Sequence, residues 1–184
     1  MLCHAVLLAG GKSSRFGTNK AFALFNGKPM IEHVMDTLQE AFQNVLIMTN
    51  TPEDYHYLGV PVLTDEIPYR GPLGAIESAF EKTKFEKIFV SACDLPLLKV
   101  SDLLRVAEQG KYCSAAIPVS GEQKHYLTAV YGRDTLPLMK VCLEEGVTSM
   151  HEFCRRVSDK IWVPVEGDAW SNINTPLELA KMGG

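Results

Sequence analysis

The chain has 184 residues, 46% of them hydrophobic and 22% charged, with a formal net charge of -4. That length suits one domain, residues 1–184, whose core needs neither disulfides nor a structural metal. The acidic balance excludes a general nucleic-acid binder, which depends on a basic surface, but leaves room for a small phosphorylated ligand at a local positive site.

Short apolar runs alternate with longer amphipathic ones. Cys3 to Leu8 is apolar apart from His4, as in a strand buried on both faces. Pro29 suits the first position of a helix carrying Ile31, Val34, Met35, Leu38, Ala41 and Phe42 at helical spacing. Val45–Thr49 and Val60–Thr64 read as strands, Leu73–Thr83 as a helix and Ile88–Ala92 as a buried strand. Ser101 is placed to cap a helix running to Gln109. Ala115–Val119 and Tyr126–Tyr131 read as strands, Arg133–Glu144 and Ser149–Val157 as helices, and Ile161–Val165 as a last strand. Thr175-Pro176-Leu177-Glu178 has the cap, proline and N3 glutamate of a helix start. The alternation predicts a three-layer α/β/α, Rossmann-like fold with a mostly parallel sheet. Ligands of such sheets sit beyond the carboxyl ends of the strands, here the loops after Leu8, Thr49, Thr64 and Ala92.

The five cysteines are widely spread, with no C-x-x-C pair, and argue for neither a disulfide framework nor a zinc site. The apolar stretch Met1–Ala9 has no basic leader region and runs straight into Gly10-Gly11-Lys12, unlike a signal peptide. No apolar run is long enough to span a membrane. The expectation is a reduced, soluble, cytoplasmic protein.

The loop Leu8 to Lys20 carries the chemistry. Gly10 and Gly11 follow a buried strand, where glycines let backbone N–H groups approach a phosphate. Lys12, Arg15 and Lys20 add positive charge, and the first acid of the chain is Glu32. A Walker A loop would need glycine at position 6, which is Val6, and the dinucleotide spacing G-x-G-x-x-G is absent. Residues 1–31 carry a local +4 and the remainder -8. That concentration of charge suits a triphosphate.

The loop L-A-G-G-K-S-S-R-x-G-x-x-K resembles the signature of nucleotidyltransferases with a glycosyltransferase-A-like fold. Within them it is most similar to the molybdenum cofactor guanylyltransferases (MobA type). Further matches lie in order: Met48-Thr49-Asn50; Asp65 ahead of Gly71-Pro72-Leu73-Gly74; Cys93-Asp94-Leu95-Pro96; and Asn172-Ile173-Asn174-Thr175-Pro176. Cytidylyl relatives tend to have aspartate in that last motif.

The resemblance implies GMP transfer from GTP to molybdopterin with release of pyrophosphate and with Mg²⁺ as cofactor. It implies nucleotide contact for Leu8, Ala9, Gly10, Lys20, Asn50, Asp65 and Asp94; residue chemistry adds the Gly11 amide and Lys12 at the phosphates and Gly71 where backbone comes close to the base, and Lys20 and Asp94 are the catalytic candidates. Arg15 joins the catalytic set because its guanidinium can bind phosphate in a bidentate way. Asp94, just past a buried strand, is the expected Mg²⁺ ligand, with Asn174 as a second, neutral ligand or an orienting group. A simple turn is the competing account of Asn174 and of Asp65. His125, Asn172 and Asn174 are candidates for the acceptor pocket, although Tyr126 stands where the family has proline after the histidine. Arg155 and Arg156 fit a solvated helix face better than a pterin phosphate site. Transfer of CMP or another nucleotide is one alternative, and a non-catalytic module that binds nucleotide or cofactor is another. The expected partners are the two small substrates and a transient protein that delivers the pterin.

Overall fold

The computed structural model describes residues 4–10, 19–68, 70–173, 175 and 177–179. The first apolar run forms β1 (His4–Leu8), with Ala5, Val6 and Leu7 fully buried. A hairpin that helical periodicity does not reveal follows, β2 (Leu24–Phe25) and β3 (Lys28–Pro29). Its turn is Asn26-Gly27, with both residues at positive φ, the backbone that an Asn-Gly hairpin turn requires. Then come α1 (Met30–Ala41), β4 (Asn44–Met48), β5 (Val62–Leu63), α2 (Gly71–Lys82) and β6 (Lys87–Ala92). The chain continues through α3 (Val100–Gln109), β7 (Ala115–Ser120), β8 (Gln123–Lys124), β9 (Ala129–Gly132), α4 (Leu136–Glu144), α5 (Met150–Arg156) and β10 (Lys160–Pro164).

The main differences from expectation lie at element ends. Pro29 caps α1 from outside its first turn, and Lys99, not Ser101, occupies the cap position of α3. Tyr126 and Leu127 form a turn, so β9 begins only at Ala129. Thr175 does cap the next helix, its Oγ1 accepting from Glu178 N at 3.2 Å.

Seven strands run in the order β10-β7-β9-β6-β1-β4-β5, and β8 pairs with β7. β6, β1, β4 and β5 are mutually parallel, as are β7 and β10; β9 is antiparallel to both its neighbours. Side chains alternate across the sheet. Ala5, Leu7 and Phe89 pack on one face with Ile31 and Leu38 of α1 and Val106 of α3. Val6, Ile88 and Val90 pack on the other with Ile76 and Phe80 of α2, Met139 of α4 and Phe153 of α5. The result is the expected three-layer, mostly parallel architecture.

One side chain anchors α2, whose opposite end faces the loops of interest. Arg133 Nη2 donates to the carbonyls of Phe80 and Thr83 at 2.8 and 2.6 Å, and its Nε donates to Phe85 O at 2.9 Å. The guanidinium satisfies carbonyls that a helix end leaves without partners. Arg133→Met keeps the apolar stem but removes these donors. It is expected to cost about 2–4 kcal/mol in urea unfolding.

Candidate active site

β6 ends in Ala92, and the chain turns through Cys93, Asp94, Leu95 and Pro96. Asp94 Oδ2 lies 3.5 Å from Lys20 Nζ and accepts from Asn172 Nδ2 at 3.1 Å. The backbone carbonyl of Asp94 accepts from Ile173 N at 2.9 Å. Residues far apart in the chain thus converge on one carboxylate. The Lys20 and Asp94 side chains are only 14% and 21% exposed, so water screens their attraction less than it would a surface pair.

Lys20 is placed by its neighbour. Asn19 Oδ1 accepts from Ala21 N at 3.1 Å, capping a short 3₁₀ turn over Lys20–Phe22. Asn19 Nδ2 donates to the hydroxyl of fully buried Tyr55 at 2.8 Å. The turn bearing Lys20 is thereby tied to the loop after β4.

Leu8, Ala9 and Gly10 lie at the end of β1, the next strand along. Ala9 N donates to Met48 O at 2.9 Å, extending the pairing one residue beyond the strand. Gly10 has a φ of 148°, a conformation that side-chain-bearing residues rarely adopt. β4 leads to Asn50, whose Nδ2 donates to Asp65 Oδ2 at 3.0 Å from beyond β5. Asp65 is buried, and its Oδ1 receives no hydrogen bond among the described residues. Burial pushes its carboxyl above the usual carboxylate range, opposed by the bond from Asn50 and the charge of Lys82. At the start of α2, Gly71 has a φ of 70°, and a Cβ there would sit 3.2 Å from Thr148 Cβ. Glycine is required by both its backbone and its contact with that loop.

These positions form a line. The carboxyl ends of β6, β1, β4 and β5 present Asp94, Gly10, Asn50 and Asp65 in that order. Three strand spacings of about 4.8 Å separate the ends of that row. One end offers Lys20, a carboxylate and a glycine turn, a combination suited to phosphates and a cation. The other offers the acceptor Asp65 Oδ1, suited to an N–H or O–H donor.

A second wall stands on the β7 side of Asp94. His125 is buried, its Nε2 lies 2.7 Å from Ser120 Oγ, and its ring lies 5.1 Å from that of Trp170. Burial lowers the pKa of His125, opposed by the charge of Asp94. Trp170 Nε1 is buried without an acceptor among the described residues. Gln123 Nε2 donates to Asn172 Oδ1 at 3.3 Å.

Of the residues anticipated from sequence, Lys20, Asp94 and Asn172 are gathered together, Asn50 and Asp65 form a pair, and Leu8, Ala9, Gly10 and Gly71 sit on the same edge. Gly11, Lys12, Arg15 and Asn174 lie outside the described residues. Gln123, Ser120 and Trp170 were not anticipated as contributors. Trp170, just ahead of the Asn172 motif, was the one with a local signal. Arg155 and Arg156 pair with Glu152 and Glu145 on an exposed helix face, as expected of solvated charges. Desolvation, with the charge of Asp94, pushes the Cys93 thiol up to about 12, which disfavours the nucleophilic thiolate. Among the described residues, no three His, Cys, Asp or Glu side chains are grouped to hold a metal.

Residues 5–161 match the model of the MobA-like NTP transferase domain. The chain belongs to that family. It is 34% identical to the molybdenum cofactor guanylyltransferase of Desulfosudis oleivorans, with 96% of this chain and 92% of that protein covered. It is 29% identical to the protein of that name from Vibrio cholerae, with 97% and 90% covered. A crystal structure of an Aquifex aeolicus protein superposes with a TM-score of 0.82 at 29% identity over 95% of this chain and 94% of that one. The molybdopterin-guanine dinucleotide biosynthesis protein A of Archaeoglobus fulgidus gives 0.80 at 23% identity, over 98% and 96%. The family fold therefore extends over the sheet edge described above.

Asp65 makes stability depend on pH. Its folded pKa is raised, so the stability it contributes is complete below its unfolded pKa of about 4 and is lost as pH rises through the folded value. Asp65→Asn removes this loss. The variant should melt above the wild type at about pH 7, and the difference should vanish near about pH 3 in thermal unfolding.

Proposed function

We propose that this chain transfers GMP from GTP to molybdopterin. A phosphate oxygen of molybdopterin attacks the α-phosphorus of GTP, the bond from that phosphorus to the bridging oxygen breaks, and pyrophosphate departs with the electron pair. The observation that carries this reading is the row of Asp94, Gly10, Asn50 and Asp65 across four adjacent parallel strands. Relatives named guanylyltransferase and matched over nearly their whole length support the choice of nucleotide and acceptor.

In this reading the triphosphate lies over Gly10 and Gly11, with Lys12, Arg15 and Lys20 balancing its charge. In the free protein Lys20 and Asp94 partly neutralise each other; the substrate brings the anion that Lys20 then serves. The base or ribose reaches the other end, where Asp65 Oδ1 accepts a hydrogen bond and Asn50 holds the carboxylate in place. Molybdopterin approaches from the wall of His125, Trp170 and Asn172. Its phosphate is already ionised near neutral pH, so the reaction needs no strong general base. A neutral His125 suits that pocket, adding no positive charge of its own.

The donor set around Asp94 fits Mg²⁺ of the kind that takes most of its ligands from phosphates and water. Asp94 would hold it, with Asn174 as a neutral second ligand. When bound, the ion withdraws charge from the phosphate oxygens and the departing pyrophosphate. The chain's residues position the groups around it, which is most of what phosphoryl-type transfer asks of a protein. We place the whole reaction on one domain, at a site reached by freely diffusing substrates or by a protein that hands over the pterin. No helix among the described residues is long and apolar enough to cross a membrane.

Pyrophosphate release from GTP in the presence of molybdopterin tests the reaction. Asp94→Ala should lower its rate by about 100-fold or more; a variant at the wild-type rate would remove Asp94 from the chemistry. Lys20→Ala should weaken GTP binding by about 10-fold or more in calorimetry, as expected for loss of a charge-assisted contact. Among GTP, CTP, ATP and UTP with Mg²⁺, GTP should raise the melting temperature most, since a ligand bound only by the native state stabilises it. A larger shift with CTP would overturn the guanylyl assignment.

A further inference from the structure

We propose that Gln123 is a positioning residue for Asp94, acting through the side-chain amide of Asn172. The inference rests on the reading of Asp94 as the metal-holding carboxylate. No sequence motif marks Gln123, which is exposed on the two-residue strand β8.

The argument begins from what each group can donate. An ionised carboxylate only accepts hydrogen bonds. The Asn172 atom 3.1 Å from Asp94 Oδ2 must therefore be Nδ2, and Oδ1 must face the other way. There it meets Gln123 Nε2 at 3.3 Å, a donor. Asp94, Asn172 and Gln123 thus form a directional chain in which each orientation follows from the one before.

The backbone alone does not fix this chain. The bond from Ile173 N to Asp94 O holds the segment beside β6, but it leaves the amide of Asn172 able to turn over. The terminal torsion of asparagine is broad and nearly two-fold. Turned over, the amide would aim Oδ1 at the carboxylate and replace a hydrogen bond with repulsion between lone pairs. Gln123 adds to the cost of that turn, because its Nε2 would then face Asn172 Nδ2 unless its own amide turned as well. Its own place is set by pairing between β7 and β8, where Ser120 faces Gln123 and Val119 faces Lys124, and by the bond from His125 N to Pro118 O at 2.9 Å. Gln123 therefore projects from a hairpin with fixed register, on the same sheet edge as Asp94.

Two substitutions separate orientation from mere contact. Gln123→Glu keeps the length of the side chain but can only accept, so it attracts Asn172 Nδ2 and turns Oδ1 toward Asp94. Gln123→Leu removes the donor without reversing the polarity. In the free protein, the side-chain NH₂ signals of Asn172 in ¹⁵N-edited spectra should move in both variants. The enhancement of GTP affinity by Mg²⁺, measured by calorimetry without acceptor, should fall by about 10-fold for Gln123→Glu and by about 3-fold for Gln123→Leu. GTP affinity without Mg²⁺ and the melting temperature should stay at wild-type values. With acceptor present, kcat should fall in the same order while KM for GTP at saturating Mg²⁺ holds.

Wild-type Mg²⁺ enhancement in both variants, or an unmoved Asn172 signal, overturns the proposal. So does an equal loss in both, which marks simple contact. A wild-type protein that binds no nucleotide would instead sink the guanylyl reading. The amide signal would still decide the claim about Gln123: a larger shift in Gln123→Glu than in Gln123→Leu supports it, and an equal or absent shift overturns it.

Discussion

The carboxylate of Asp94 ties the site together because a charge at the end of a buried strand must find partners close by. Those partners come from remote parts of the chain, Lys20 from the first loop and Asn172 from the segment after β10, where Ile173 N also donates to the backbone carbonyl of Asp94. Once Ile173 is drawn to β6 it needs cover. Phe25 and Met30 supply it, forming with Ile173 a small apolar cluster. This gives the β2–β3 hairpin a structural purpose: it roofs the segment that presents Asn172 to Asp94.

Sheet topology does the rest of the positioning. In a parallel array every strand delivers its following loop to the same edge, so β6, β1, β4 and β5 lay their loops side by side. A nucleotide has phosphates at one end and a base at the other, and it can run along such a row while meeting different chemistry at each step. β9 interrupts the parallel order because β7 and β8 return the chain between β6 and β7. That interruption brings the hairpin bearing Gln123 and His125 to the open side of Asp94. The row of loop ends and the opposite wall thus follow from one strand order.

Much of this was legible in the sequence, for identifiable reasons. Ala5–Leu7 is apolar because both its faces are buried, and Gly10 after it adopts a φ that side-chain-bearing residues rarely take. Asp94 was legible because it ends a buried strand in a C-D-x-P motif. The Asn26-Gly27 hairpin was harder to see, since two-residue strands leave no alternation to detect. Ser101 misled because a favourable cap residue is the second residue of a helix whose start is set by the turn from Leu95 to Lys99. The antiparallel direction of β9 and the pairing of Gln123 with Asn172 were invisible locally. Both depend on contacts between distant segments, which composition and spacing do not encode.

A pattern links the two acidic residues of the site. Each is held by a neutral amide: Asp94 by Asn172 and Asp65 by Asn50. An arginine in either amide's place would fix the carboxylate as firmly, but it would also cancel the charge. An amide supplies a directional N–H and leaves the charge available. For Asp65 the consequence is visible, because burial still raises its pKa and one oxygen still lacks a donor. That residual demand is what a ligand N–H or O–H can satisfy. At Asp94 the partly offsetting charge is Lys20, whose flexible stem lets it follow an anion. In the proposed reading, fixed amides and a movable cation thus keep the site assembled while leaving its charges for the substrate.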